Sequence, residues 1–185
     1  DLHLHIHEVG DQDVDDLLLF RDRLRSDAAD RELYAATKRE LISRDWTHMQ
    51  AYADAFLAPG SPLAGDAVTL SPYLGFESLM PAFERAIAFN KGVYVLARTS
   101  NPEGGQVQLA LGHDGSVAQG IIDAARELNT RARTRAIGLV VGGTHTSLAC
   151  DVSEFNSSIL VPGIGAQGGR MEDLPDLFGA AYENV

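Results

Sequence analysis

Ile159-Leu160-Val161-Pro162-Gly163-Ile164-Gly165-Ala166-Gln167-Gly168-Gly169 is the stretch on which the reading of this chain turns. Three apolar residues in a row, Ile159 to Val161, suit a strand of a parallel sheet, buried on both faces. Pro162 and the glycines end that strand, and a second periodic segment starts at Met171. Glycines let the backbone turn sharply and bring its N–H groups close to a ligand. Where such a loop feeds a helix, those N–H groups and the helix dipole favour a phosphate. The plainer reading is a strand-to-helix turn that holds nothing.

Outward from this stretch, strands alternate with helices. Ala67 to Leu70, Val93 to Ala97 and Ile137 to Val141 read as further strands. Phe76 to Phe89, with Leu79, Phe83 and Ile87, and Val117 to Leu128, with Ile121, Ile122 and Ala125, carry helical periodicity. A short helix is expected at Ser147 to Phe155 and a last one near Leu174 to Tyr182. Such alternation makes βαβ units and a parallel sheet. Pro59-Gly60-Ser61-Pro62 is the clearest loop.

The beginning of the chain has a different grammar. His3, His5 and His7 alternate with Leu2, Leu4 and Ile6, which predicts a strand with imidazoles on one face. A His-x-His pair on a strand can chelate zinc. This pair resembles the first-strand motif of metal-dependent amidohydrolase barrels. His48, His113 and His145 offer no second pair, so a solvated histidine face is preferred and no metal is assigned. Asp13 to Arg25 is an amphipathic helix with Val14, Leu17, Leu18 and Leu24, acidic early and basic late as the macrodipole favours. Ser26 or Asp27 is placed to cap a second helix carrying Leu33, Tyr34, Thr37, Leu41 and Ile42 and running towards Trp46. Lys38, Arg39 and Arg44 on it are read as a solvated face rather than an anion site.

Composition bounds the function. The 185 residues suit one domain or two small ones, and 45% hydrophobic with 22% charged residues is ordinary for a globular protein. A formal charge of −11 disfavours nucleic acid and anionic membrane as partners. Cys150 is the one cysteine, which rules out an internal disulfide and fits a reducing cytoplasm. No run is long enough to span a bilayer and no signal peptide is recognised. A start at Asp1, directly in a strand-like run, suggests a fragment.

The motifs carry two resemblances. Pro162 to Gly169 resembles the phosphate-binding loop of orotidine 5'-phosphate decarboxylases. Asp66-Ala-Val-Thr-Leu-Ser-Pro-Tyr-Leu-Gly75, Gly92-Val-Tyr-Val-Leu-Ala-Arg-Thr-Ser-Asn-Pro-Glu-Gly104 and Ile137-Gly-Leu-Val-Val-Gly-Gly-Thr144 resemble, in order, other stretches of that family. Together they look like strands four to seven of its (β/α)8 barrel. Asp1-Leu-His-Leu-His5, Leu19-Phe-Arg-Asp-Arg-Leu-Arg25 and Tyr34-Ala-Ala-Thr-Lys-Arg-Glu-Leu41 resemble the end of a GrpB-like domain, which has a nucleotidyltransferase-like fold. The two meet at Met49 to Ala55 and imply a chimera: residues 1–55 GrpB-like, residues 56–185 a half barrel, joined in one globular unit. The expected fold is α/β, a parallel sheet of about five strands with flanking helices.

The decarboxylase resemblance implies that Ser100 faces a pyrimidine, and that Pro162 opens a phosphate cradle which Gly163, Gly165, Ala166, Gln167 and Gly168 line through backbone N–H groups and the Gln167 amide. It also implies decarboxylation of orotidine 5'-phosphate, which in that family needs an Asp-x-Lys-x-x-Asp motif for proton donation and electrostatics. These residues contain no such motif, and the resemblance ends before the eighth strand with its phosphate-clamping arginine. The expectation is therefore a recombinant fold without native catalysis or cofactor, with at most weak phosphate or nucleotide binding. A decarboxylase-type lyase is the alternative, and a His-x-His metal hydrolase the second. Open strand edges on a half sheet predict a homodimer.

Overall fold

A computed structural model describes residues 12–43, 48–112, 115–165 and 167–185. The strand predicted over residues 2–9, with His3, His5 and His7, lies outside the described residues, as does Ala166. The chain divides into two compact units, Asp1–Asp45 and Trp46–Val185.

In the first unit, α1 (Gln12–Ser26) and α2 (Ala28–Ser43) are separated by Asp27 alone. Asp27 Oδ1 accepts the backbone N–H groups of Ala29 at 2.9 Å and Asp30 at 3.1 Å, so it is the N-cap that the sequence offered. Those two bonds hold its carboxyl below the usual carboxylate range. Arg31 closes the other side of the turn, its Nη1 donating to the carbonyl of Leu24 at 3.0 Å. The described extent of α2 ends at Ser43, and Trp46, towards which that helix was expected to run, lies outside the described residues.

The second unit is built on one parallel sheet. β1 (Ala67–Leu70), β2 (Gly92–Arg98), β5 (Ile137–Val141) and β6 (Ile159–Leu160) lie side by side in that order. Four strands are thus described in place of about five, because the remaining one was expected among residues 2–9. Each strand pairs in parallel with the next, Val68 beside Val93, Val95 beside Leu139 and Leu139 beside Ile159. The alternation of side chains sends Val93, Val95, Ala97, Ile137, Leu139, Val141 and Ile159 into a single core. Ile121, Ile122, Ala125 and Leu128 of α6 (Val117–Ala132) and Ala82, Phe83 and Ala86 of α4 (Met80–Phe89) complete it.

Helix α3 (His48–Leu57) belongs to this unit: Ala53 and Leu57 are fully buried in the same core. Asp54 meets Arg85 of α4 through a 2.8 Å ion pair at the rim of that contact. Before α4, residues Phe76–Leu79 form a 3-10 turn, and the Phe76 and Phe83 rings stand 4.9 Å apart. Between β2 and α6 lie α5 (Gly105–Gln108) and a two-residue hairpin, β3 (Leu111–Gly112) with β4 (Gly115–Ser116), which the sequence had not suggested. Ser116 caps α6 by accepting from Gln119 N at 3.1 Å.

The helix expected over Ser147 to Phe155 is absent; those residues form turns. Ala149 adopts φ +55°, which breaks the helical path. Asp151 Oδ1 then accepts from Ser153 N at 2.9 Å, a local bond that competes with a helix. The C-terminal helix is also shorter than expected: α7 spans Leu174–Phe178 and is followed by a 3-10 turn over Gly179–Asn184. No helix among the described residues is long and apolar enough to cross a membrane.

Candidate functional site

Parallel strands bring the loops that follow them to one end of the sheet, and ligands of such folds sit there. Three loops converge at that end: Thr99 to Asn101 after β2, Gly142 to His145 after β5, and Val161 to Gly169 after β6.

The glycine loop closes on itself. Gly165 N donates to Gly169 O at 2.9 Å, Gly168 N to Gly165 O at 2.8 Å and Gly169 N to Gly163 O at 2.9 Å. The N–H groups of Gly165 and Gly168, two of the residues read as a phosphate cradle, thus donate within the loop. Nor does the loop feed a helix directly, because Arg170 and a 3-10 turn over Met171–Asp173 intervene before α7. Pro162 anchors the loop to its neighbour, its carbonyl accepting from Gly143 N at 2.9 Å.

Ser100 and Gln167, 67 positions apart, are brought together: Ser100 Oγ donates to Gln167 Oε1 at 2.9 Å. Gly163 makes the approach possible. Its φ is +95°, and a Cβ there would stand 2.7 Å from Thr144 Cγ2, 3.1 Å from Ser100 Cβ and 3.3 Å from Gln167 Oε1. The predicted pyrimidine residue and the predicted phosphate loop therefore share one small site.

Sequence reasoning missed the residues that hold Ser100 in place. The Arg98 carbonyl accepts from Gly142 N at 2.6 Å, and the Ser100 carbonyl from Thr144 Oγ1 at 2.9 Å. Between them, Thr99 N donates to Gln108 Oε1 at 3.1 Å, and Thr99 O accepts from His145 Nε2 at 2.8 Å. A cavity of about 460 Å³ opens beside this segment, with Pro72, Leu96, Thr99, Asn101, Gln108 and Ile121 among its walls. Arg98, a cation closing an otherwise apolar strand, was the available signal. Cys150 lies nearby and is half-buried; burial, opposed by Arg98 and aided by Asp151, pushes its thiol up to about 11. Among the described residues no three His, Cys, Asp or Glu side chains are grouped to hold a metal.

The profile of the orotidine 5'-phosphate decarboxylase / HUMPS family matches residues 49–181. The chain belongs to that family. The orotidine 5'-phosphate decarboxylase of Salinispora tropica is 50% identical over 137 residues, 73% of this chain and 49% of the relative. That of Corynebacterium glutamicum is 46% identical over 146 residues, 74% of this chain and 52% of the relative. A crystal structure of a Streptomyces avermitilis protein assigned as an orotidine 5'-phosphate decarboxylase superposes with a TM-score of 0.66 at 46% identity, covering 76% of this chain and 50% of that one. The structure of Leishmania donovani UMP synthase gives 0.57 at 31%, covering 70% and 28%. The chain thus spans about half the length of the decarboxylases it matches. The GrpB protein profile matches residues 1–56, so the two family matches adjoin and overlap at 49–56.

These relatives correct the functional expectation. A recombinant fold without native catalysis was inferred from a missing motif, yet relatives at 46–50% identity over nearly three quarters of the chain are orotidine 5'-phosphate decarboxylases. Decarboxylase-type chemistry, the alternative reading, is the one that the family membership favours.

Proposed function

We propose that this chain serves the decarboxylation of orotidine 5'-phosphate and supplies the part of the site that holds the phosphate and the pyrimidine. The observation that carries the reading is the Ser100–Gln167 hydrogen bond, which ties the loop after β2 to the glycine loop. A side-chain amide held between two loops can turn from its serine partner to a ligand at little cost, because one hydrogen bond replaces another. Ser100 then orients the base, while the Gln167 side chain, carried by the glycine loop, receives the 5'-phosphate.

The reaction breaks the bond between C6 of the pyrimidine and its carboxylate, releases CO2 and places a proton on C6, leaving UMP. An oriented base and a fixed phosphate convert remote binding into correct placement of C6. The Asp-x-Lys-x-x-Asp motif that would deliver the proton is not among these 185 residues. Binding and orientation are accordingly the roles assigned to the residues described, and the proton transfer belongs to the family-length enzyme.

Calorimetric titration with UMP tests this. The chain is expected to bind UMP, and Gln167→Ala to weaken it about tenfold, the worth of one polar contact to an anion. Absence of UMP binding at millimolar concentration would overturn the reading.

A further inference from the structure

Arg98 is 7% exposed at the C-terminal end of β2, and no described carboxylate forms an ion pair with it. Burying a cation without a counter-charge is costly, so its polar contacts matter. Its Nη1 donates to Gln108 Oε1 at 3.3 Å, and its Nη2 stands 3.5 Å from His145 Nδ1, while Nε has no hydrogen-bond partner among the described residues. Those two partners are the side chains that hold Thr99. Gln108 Oε1 accepts from Thr99 N at 3.1 Å and Gln108 Nε2 donates to Thr99 Oγ1 at 2.7 Å. His145 must donate from Nε2, since its partner there is the Thr99 carbonyl, and this leaves Nδ1 as the acceptor that faces Arg98.

We propose that Arg98 is the positioning residue for Ser100. One guanidinium fork sets Gln108 and His145, and these grip Thr99 from both of its backbone groups, so the next residue is presented to Gln167 in a fixed orientation. Lysine cannot reproduce this, because a single ammonium lacks the planar fork that reaches two partners in fixed directions. The proposal deepens the ligand-holding reading above and rests on it for its consequence in nucleotide recognition.

The test separates positioning from general support. Hydrogen exchange of backbone amides is measured on the chain without ligand, for the native sequence, Arg98→Met and Arg98→Lys. Positioning predicts that the Thr99 amide exchanges at least about tenfold faster in both variants, with Val95 and Leu139 unchanged. Equal protection of Thr99 in all three, or acceleration spread evenly over the sheet, would overturn it. Titrations with UMP and with ribose 5-phosphate supply the second readout. Arg98→Met should weaken UMP about tenfold and leave ribose 5-phosphate within about twofold, since only UMP carries the base that Ser100 faces. A loss shared by both ligands would mark Arg98 as mere structural support. Should neither Arg98 variant fold, Arg98→Gln, which keeps a polar side chain but not the fork, carries the same exchange test, with Thr99 protection again the deciding quantity. If the native chain binds neither ligand, the nucleotide reading falls, while the exchange result still decides the role of Arg98.

Discussion

Gly163→Ala is the sharpest perturbation of the site, because the structure contains its own control. Gly163 and Gly165 lie in one loop with similar backbones, φ +95° and +82°. An alanine at either pays about 1–2 kcal/mol for a conformation that L residues avoid. The surroundings differ. A Cβ at Gly165 meets nothing within 4 Å, whereas one at Gly163 falls 2.7 Å from Thr144 Cγ2, 3.1 Å from Ser100 Cβ and 3.3 Å from Gln167 Oε1. The Gln167 amide can swing aside, but Thr144 is tethered through its hydroxyl to the Ser100 carbonyl, so two of the three obstacles move together or not at all. Overpacking of this kind adds about 1–3 kcal/mol. Gly165→Ala should therefore cost about 1–2 kcal/mol and Gly163→Ala about 2–5 kcal/mol. The cost can surface as global destabilisation or as local displacement of the loop, and two assays catch both. Urea denaturation reads the first. UMP titration reads the second, where an excess of about 2 kcal/mol is roughly thirtyfold in Kd. If the two variants match in unfolding midpoint and in UMP affinity, the close approach of Ser100, Thr144 and Gln167 around Gly163 is wrong.

Asn129, buried on α6, clamps the first residue of β5, donating to Ile137 O at 2.8 Å and accepting from Ile137 N at 3.2 Å. Asn129→Ala should cost about 2–4 kcal/mol in urea denaturation, the loss of two buried bonds, and a cost below about 1 kcal/mol would refute the clamp. With its thiol raised by burial to about 11, Cys150 should label at about pH 8 at least tenfold more slowly in the native chain than in urea. The sign follows for stability: the folded value lies above the ordinary 9.0, so this contribution is complete below pH 9.0 and is lost as the pH rises through about 11. A pH titration of the unfolding midpoint checks it, a rise in stability over that window being the contrary result. Finally, β1 and β6 are the outer strands of the sheet among the described residues and Leu160 is 46% exposed, so light scattering at micromolar concentration is expected to show a homodimer; a concentration-independent monomer contradicts this.

The parts of this protein that were legible in its sequence are those governed by short-range pattern. Ala67–Leu70 and Ile137–Val141 form strands where the apolar runs placed them, and Asp27 caps α2 through bonds to residues two and three positions away. The failures share another cause. Ser147 to Phe155 does not form the expected helix, and Gln119, 32 positions earlier, takes both backbone groups of Asp151: its Oε1 accepts from Asp151 N at 2.7 Å and its Nε2 donates to Asp151 O at 3.2 Å. A distant side chain that satisfies the backbone removes the incentive for a helix, and no local window contains that information.

The candidate site divides along the same line. Gly163 and Gln167 announced themselves because a glycine-rich loop is a local signature, and Ser100 because a motif framed it. The residues that fix Ser100 come from 8 to 45 positions away: Gln108 reaches back from α5, and Thr144 and His145 forward from the loop after β5. None of them carries a periodicity of its own, and each would pass as an ordinary loop residue. What joins them is the parallel pairing of β2 with β5, which sets Arg98 beside Val141 and so brings the ends of both strands to one level. Register, a property of the sheet, decides which polar groups meet at its end. The residues proposed to meet a ligand therefore read as a recognisable string, while those that aim them become visible only once the strands are paired.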